Sequence, residues 1–375
     1  WLKIMLASRQ FLRACAPLAA LARARACAAV PTTMKTVRVH EFGAPEVMKV
    51  EESPVPELKD GEVLVRVGAF GVNPVETYIR AGAYAVLPQL PFTPGSDGAG
   101  EVVEVKGGGE VSTKLGKIGV GSRVYFSGTR TGAYASHTAV SGQDVFPLPD
   151  SVSFEQGAAL GVPYKTAWRA LHMKMKVTPG KSLLVHGASG AVGLAAVQLG
   201  KAAGLLVIGT ASGERGMQAI REAGADYVLN HREEGYLNKL DEIALLPPRP
   251  PAGKNRAVDY ILENLANVNL DNDMMRLAKD GVIAVVGNRG SLEVNPRNLM
   301  QCEGTVVGVL GGLFTAEQKA EAHAGLHGLL QTGVLKPLIG KAYPIESVAE
   351  THVDVIEQKG GAAGKLVVSL PQSAL

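Results

Sequence analysis

Ser182-Leu183-Leu184-Val185-His186 is a short apolar run, and Gly187-Ala188-Ser189-Gly190-Ala191-Val192-Gly193 follows it without a break. A stretch of helical character then runs from Leu194 to Ala203 and stops at Gly204. The order is strand, glycine turn, helix. Glycines at this spacing let backbone N–H groups approach a pyrophosphate at a helix N-terminus. Gly187 suits the tight turn, Gly190 the close approach of backbone to phosphate, and Gly193 the packing of the helix on the sheet. Gly-x-x-Gly-x-x-Gly is not the commoner Gly-x-Gly-x-x-Gly, and an ordinary strand-to-helix turn uses the same residues. The placement between a strand and a helix is what favours a dinucleotide.

Outward from this turn, strand-like runs recur at Ser182–His186, Leu205–Gly209, Asp226–Leu229, Val258–Leu262, Val282–Val286 and Thr305–Val309. Helical segments such as Met217–Ala223 and Asp271–Ala278 separate them. Short apolar strands alternating with helices predict an α/β fold with a doubly wound parallel sheet, whose ligand lies beyond the carboxyl ends of the strands. Residues 35–150 read differently. Lys35–Val39, Glu62–Val67, Glu101–Val105 and Arg123–Phe126 are short strands with Gly and Pro between them, which predicts a β-rich, barrel-like domain. Residues 106–121 read as a glycine-rich surface hairpin, and Leu246–Pro251 as a proline loop, either a surface insertion or a docking motif. Near the end, a helix around Ser347–Gln358 precedes a strand, Lys365–Ser369, that rejoins the N-terminal domain.

The strand ends supply the candidate contacts. An acidic residue at the tip of the second strand would bind the ribose diol of NAD. Here that strand ends Ile208-Gly209-Thr210-Ala211-Ser212-Gly213 with no carboxylate, while Ser212 and Arg215 are suited to a 2′-phosphate. NADPH is therefore the expected coenzyme; nearby Glu214 argues the other way, or is simply an acid at a helix N-terminus. Asn230-His231, Glu263-Asn264 and Gly287-Asn288-Arg289-Gly290 follow the third, fourth and fifth strands, where each is otherwise an ordinary turn residue. Tyr78, on the helical stretch Asn73–Arg80, could present its ring to a substrate cleft or only pack. Zinc catalysis needs about three Cys, His or carboxylate ligands and an open position. No thiol lies near the β-domain loops, and His323 and His327 fall i, i+4 on what reads as an exposed alanine-rich helix, so no metal is expected.

Bulk properties narrow the class. The 375 residues predict two or three domains at about 150 residues each. Apolar residues make up 46%, enough to fill real cores. Of 38 Lys and Arg, five (Lys3, Arg9, Arg13, Arg23, Arg25) lie in an acid-free leader, leaving 33 against 35 Asp and Glu. A near-neutral body gives no electrostatic case for tight nucleic-acid binding. The leader's composition fits a mitochondrial transit peptide, and equally fits residues upstream of a start at Met5 or Met34. No charge-free apolar run is long enough for a membrane span. Of three cysteines, Cys15, Cys27 and Cys302, only Cys302 lies in the body, so a reducing compartment is expected. The expectation is cytoplasmic, or mitochondrial with a genuine leader.

Asn73–Arg80, Pro94-Gly-Ser-Asp97, His186–Gly193, Asn230-His-Arg232 and Leu265-Ala-Asn-Val-Asn269 together resemble the zeta-crystallin-type quinone oxidoreductases, zinc-free members of the medium-chain dehydrogenase/reductase superfamily. The resemblance runs from about Met34 to Val368. It implies a GroES-like β domain formed by 34–161 and 310–375, with a Rossmann domain at 162–309 between them and 1–33 as leader. It implies NADPH-dependent reduction of ortho- and para-quinones, with electrons passed singly. It also implies a homotetramer and a possible affinity for AU-rich mRNA. By motif, Tyr78 matches the tyrosine beside the nicotinamide, and Ser189, Gly190, Ala191 and Val192 match the pyrophosphate loop. Ser212, His231 and Asn269 match adenosine-side positions, and Val286, Gly287, Asn288 and Arg289 match the loop after the fifth strand. Leu310, Gly311 and Gly312 stand where the family has Thr-Leu-Phe. Two rivals remain: an alkenal or enone reductase of the same superfamily, and an RNA-binding or structural protein without essential catalysis.

Overall fold

The computed structural model describes residues 30–241, 243, 258–358 and 361–371. Most of the leader and the proline loop lie outside them.

Nine strands come first: β1 (Thr33–Val39), β2 (Met48–Pro54), β3 (Glu62–Gly71), β4 (Asp97–Val105), β5 (Glu110–Thr113), β6 (Gly116–Gly119), β7 (Arg123–Ser127), β8 (His137–Ser141) and β9 (Val145–Pro147). A helix, α1 (Pro74–Arg80), interrupts them. The chain then enters α2 (Gly161–Trp168) and alternates strand with helix: β10 (Ser182–Val185), α3 (Ala191–Ala202), β11 (Leu206–Ala211), α4 (Glu214–Glu222), β12 (Tyr227–Asn230), β13 (Val258–Glu263), α5 (Ala266–Arg276), β14 (Leu277–Val285) and β15 (Thr305–Gly308). After α6 (Ala316–Gln331) the last elements are β16 (Ile339–Tyr343), α7 (Val348–Glu357) and β17 (Lys365–Ser369).

Strands β10 to β15 form one six-stranded sheet in the order β12-β11-β10-β13-β14-β15. Every pair is parallel. The order reverses between β10 and β13, so the crevice at their carboxyl ends is where such a sheet takes a ligand. Buried Leu183, Val185, Leu262 and Ala284 pack with α3 on one side; Leu184, Ile208, Ile261 and Ile283 pack on the other. Burial on both faces explains why these strands read as unbroken apolar runs.

The other sheet runs β16-β17-β3-β4-β7-β9, with β8 paired to β3. β17 lies antiparallel to β3, with Val367 opposite Gly71. Its core is Val63, Val65, Phe70, Val102, Phe126 and Tyr134. β5 and β6 pair only with each other, a two-stranded hairpin within 106–121. Residues from Thr32 onward cluster as one compact unit. Among the described residues no helix is long and apolar enough to cross a membrane.

Two local expectations differ from the structure. The helix expected at Asp271–Ala278 begins earlier, at Ala266, and yields to β14 at Leu277. The helix expected to expose His323 instead buries it completely: its ring stacks on Phe146 at 3.7 Å, and Nδ1 lies 3.0 Å from the Tyr125 hydroxyl. An alanine-rich surface suggested solvent, but small residues also let α6 press close to its neighbours. A Cβ on Gly325 would lie 1.9 Å from the Trp168 ring.

Candidate coenzyme and acceptor site

The glycine turn is held from both flanks. Gly187 has φ +58°, a backbone region that favours glycine. Its amide donates to Thr210 Oγ1 at 3.2 Å, and the Ala188 amide donates to the Thr210 carbonyl at 2.8 Å. On the other side Asn264 Nδ2 donates to the His186 carbonyl at 2.8 Å. Gly190 caps α3 in extended backbone, with no side chain bonded to the cap. A Cβ there would meet only the Gly187 carbonyl, at 3.5 Å, so the space before the helix is open. At Gly193 a Cβ would lie 2.5 Å from Ala188 Cα and from the Gly187 carbonyl. Gly193 therefore lets the helix close on the turn itself rather than on the sheet. Free amides at a helix N-terminus above an open space fit a pyrophosphate.

The remaining candidates surround this turn unequally. Ser189 is buried, while Ala191 and Val192 are half-buried at the start of α3. Ser212 is half-buried just past β11. Arg215 is exposed and donates to the Gly340 carbonyl at 2.8 Å. The nearby Glu214 carboxylate is engaged within α4 by Arg221 Nη1 at 2.8 Å. His231 is exposed past β12, its amide bonded to the Ala211 carbonyl at 3.0 Å. Asn269 turns its amide toward Glu263 Oε1 at 3.3 Å. After β14, Gly287 presses so closely on Asn264 that a Cβ would sit 2.2 Å from its carbonyl. Val286 is half-buried, and Asn288 and Arg289 are exposed. The Arg289 amide donates to Asn267 Oδ1 at 2.9 Å. Leu310 is exposed, and a Cβ on Gly311 would lie 3.2 Å from Thr166 Oγ1 of α2; Gly312 is open to solvent.

Beneath the turn lies a buried polar cluster that sequence reading missed. His186 Nε2 is 2.8 Å from Asp273 Oδ1 and 3.9 Å from Glu263 Oε2. Burial alone would lower the imidazole pKa, but Asp273 and then Glu263 outweigh it and raise it to about 9. Burial pushes the Glu263 carboxyl upward, and Asp273 adds to that. Asp273 thus favours a cationic imidazole, while burial favours a neutral Glu263, which limits the net charge buried in the set. No sequence spacing could reveal this set, because its members come from three separate elements.

Tyr78 is half-buried on α1. That helix is fixed at its start by a capping box: the Asn73 amide donates to Glu76 Oε2 at 2.7 Å. Glu76 Oε2 also accepts from the Tyr134 hydroxyl at 2.8 Å, and burial raises the Glu76 carboxyl pKa. Asn73 Nδ2 donates to Asp97 Oδ2 at 3.0 Å, and buried Lys365 donates to Asn73 Oδ1. The residue before it, Gly364, donates its amide to the Ser189 carbonyl at 2.9 Å. The last strand thus reaches both the glycine turn and the Tyr78 helix.

A parallel sheet with a glycine turn and open space at its order reversal, abutting a β-rich lobe, defines a dinucleotide-dependent oxidoreductase fold. Residues 59–150 match the alcohol dehydrogenase GroES-like domain, and residues 191–324 match a domain described as zinc-binding dehydrogenase. The chain is 44% identical to the human quinone oxidoreductase over 90% of its length and 98% of that protein, and 45% identical to the Pongo abelii quinone oxidoreductase over the same shares. It superposes on the Escherichia coli quinone oxidoreductase complexed with NADPH with TM-score 0.76 and 29% identity, covering 90% of this chain and all of that one. The Pseudomonas syringae quinone oxidoreductase gives the same TM-score at 26% identity and the same coverage. The chain belongs to the quinone oxidoreductases of the medium-chain dehydrogenase/reductase superfamily.

A zinc, as that domain's description implies, needs a convergent set of ligands. Among the described residues one group of three potential ligands converges, His186, Glu263 and Asp273, and all are buried. All three are buried and His186 Nε2 is already bonded to Asp273, so the set leaves no open position and does not fit a catalytic zinc.

Proposed function

We propose that this protein reduces quinones with NADPH and without zinc. The observation that carries this reading is the glycine turn: open at Gly190, sealed at Gly193 and bordered by Ser212 and Arg215 rather than a free carboxylate. NADPH, when bound, supplies the reducing equivalents. The chain's own work is placement. The α3 amides hold the pyrophosphate, Arg215 and Ser212 take the 2′-phosphate, and the α1 capping network sets Tyr78 beside the reacting rings. Because a quinone accepts electrons readily, the reaction needs no metal Lewis acid, and orientation is the main role of these residues.

The finer reading extends to ortho- and para-quinones, to electrons passed one at a time, and to a homotetramer. Exposed Val306 on β15, an edge strand, and nearby exposed Leu310 and Leu313 support self-association. Affinity for AU-rich RNA, implied by the same resemblance, is read by filter binding with and without NADPH. The main test is steady-state turnover of phenanthrenequinone with NADPH and with NADH. Turnover favouring NADPH supports the proposal; faster reduction of enals than of quinones replaces it with an enone reductase.

A further inference from the structure

Lys165 is a buried cation with no anion of its own. It sits on α2 and is only 8% exposed. Its Nζ donates to the hydroxyl of Ser127 at 2.8 Å. Among the described residues it forms no ion pair with a carboxylate. The nearby Asp144 is engaged by Lys319, and Asp97 lies 3.9 Å from Lys365 and accepts from Asn73 and from the Val162 amide. Burial lowers the Lys165 pKa, partly offset by Asp97. A desolvated ammonium bonded only to a neutral hydroxyl is costly to a fold and does nothing for packing that a Met would not do.

Its surroundings tie it both to the α1 cap and to the loop after β15. Ser127 ends β7 directly opposite Asp97 on β4, and Asp97 holds the Asn73 cap of the Tyr78 helix. On its other side, Nζ lies 5.9 Å from the centre of the Phe314 ring, just past Leu310-Gly311-Gly312. Arg169 covers that same ring at 4.5 Å. Thr166, the next residue, borders Gly311. Lys165 therefore lies between the loop that follows β15 and the cap of α1, the helix that carries Tyr78.

We propose that Lys165 is a catalytic residue whose ammonium binds the carbonyl oxygen of the acceptor and stabilises the negative charge that reduction places there. Ser127 aims the ammonium. The same site favours acceptors and inhibitors that carry an oxyanion, such as phenolates, over neutral arenes of equal size. The nature of the acceptor rests on the quinone-reductase reading; the cation site does not.

The test uses the full-length protein and para-nitrophenol, whose phenolate absorbs visibly and which needs no turnover. Bound to the wild type, its apparent pKa falls by about one unit, as expected beside a desolvated cation. Lys165→Met and Lys165→Gln abolish that shift. Both variants also lose roughly 100-fold in kcat/KM for quinone, while NADPH affinity by fluorescence stays within about threefold of wild type. Identical phenol ionisation in wild type and both variants overturns the proposal. A wild type that ionises the phenol but reduces no quinone supports the cation site and refutes the reductase reading. Full quinone turnover in both variants supports the reductase reading and overturns the catalytic role of Lys165.

Discussion

The backbone amide of Gly364 donates to the Ser189 carbonyl across 2.9 Å, and the next side chain, Lys365, donates to Asn73 Oδ1. One residue step therefore links the turn that would hold a pyrophosphate to the cap of the helix that carries Tyr78. Separating the two sheets at this point would break the Gly364–Ser189 bond.

Lys365→Met should destabilise the protein by roughly 3–5 kcal/mol, because it strands Asp97 and Glu76 without their shared cation. Adding Asp97→Asn to that variant removes one stranded charge and should recover part of the loss. Urea denaturation of the single and double variants checks this; equal stability of the two would refute the linkage.

Gly190 and Gly193 should separate binding from folding. Gly190→Ala places a methyl in the open space before α3. It should leave the melting temperature near wild type while weakening NADPH roughly tenfold, about 1.4 kcal/mol. Gly193→Val drives side-chain atoms into Ala188 and the Gly187 carbonyl, so it should lower the melting temperature itself. Calorimetry and coenzyme fluorescence read the two effects apart.

Arg215→Ala should cost roughly tenfold in NADPH affinity and leave NADH nearly unchanged, since only NADPH carries the 2′-phosphate. Fluorescence titration with both coenzymes checks it. An equal loss for both would assign Arg215 to its bond with Gly340 alone.

Stability should depend on Glu263 in a defined direction. Its folded pKa is raised above the ordinary 4.5, so the folded state holds this proton more tightly than the unfolded chain does. Its contribution is complete below the unfolded pKa and is lost as pH rises through the raised value. Glu263→Gln keeps the neutral form throughout. Its melting temperature should gain on wild type between about pH 5 and pH 8. A difference that stays flat with pH would mean Glu263 is ionised in the fold.

Val306→Lys on the edge strand β15 should lower the assembly state without changing the monomer's fold. Light scattering with circular dichroism measures both. An unchanged mass would remove the support this edge gives to self-association.

The sequence by itself determined the local elements and the coenzyme turn. Apolar runs such as Ser182–Val185 and Val258–Leu262 announce strands because they are buried on both faces, and the Gly187–Gly193 spacing is a backbone requirement written in consecutive residues. The final strand was legible for the same reason, Lys365–Ser369 being a short apolar run after a glycine. Tertiary structure alone decided the rest. Whether His323 meets solvent or Phe146 depends on what α6 packs against. The His186, Glu263 and Asp273 set, the Lys365–Asn73 link and the isolated ammonium of Lys165 each join residues far apart in the chain. Local periodicity carries no information about such pairs, because charge and hydrogen-bond satisfaction are settled only when the lobes close on one another.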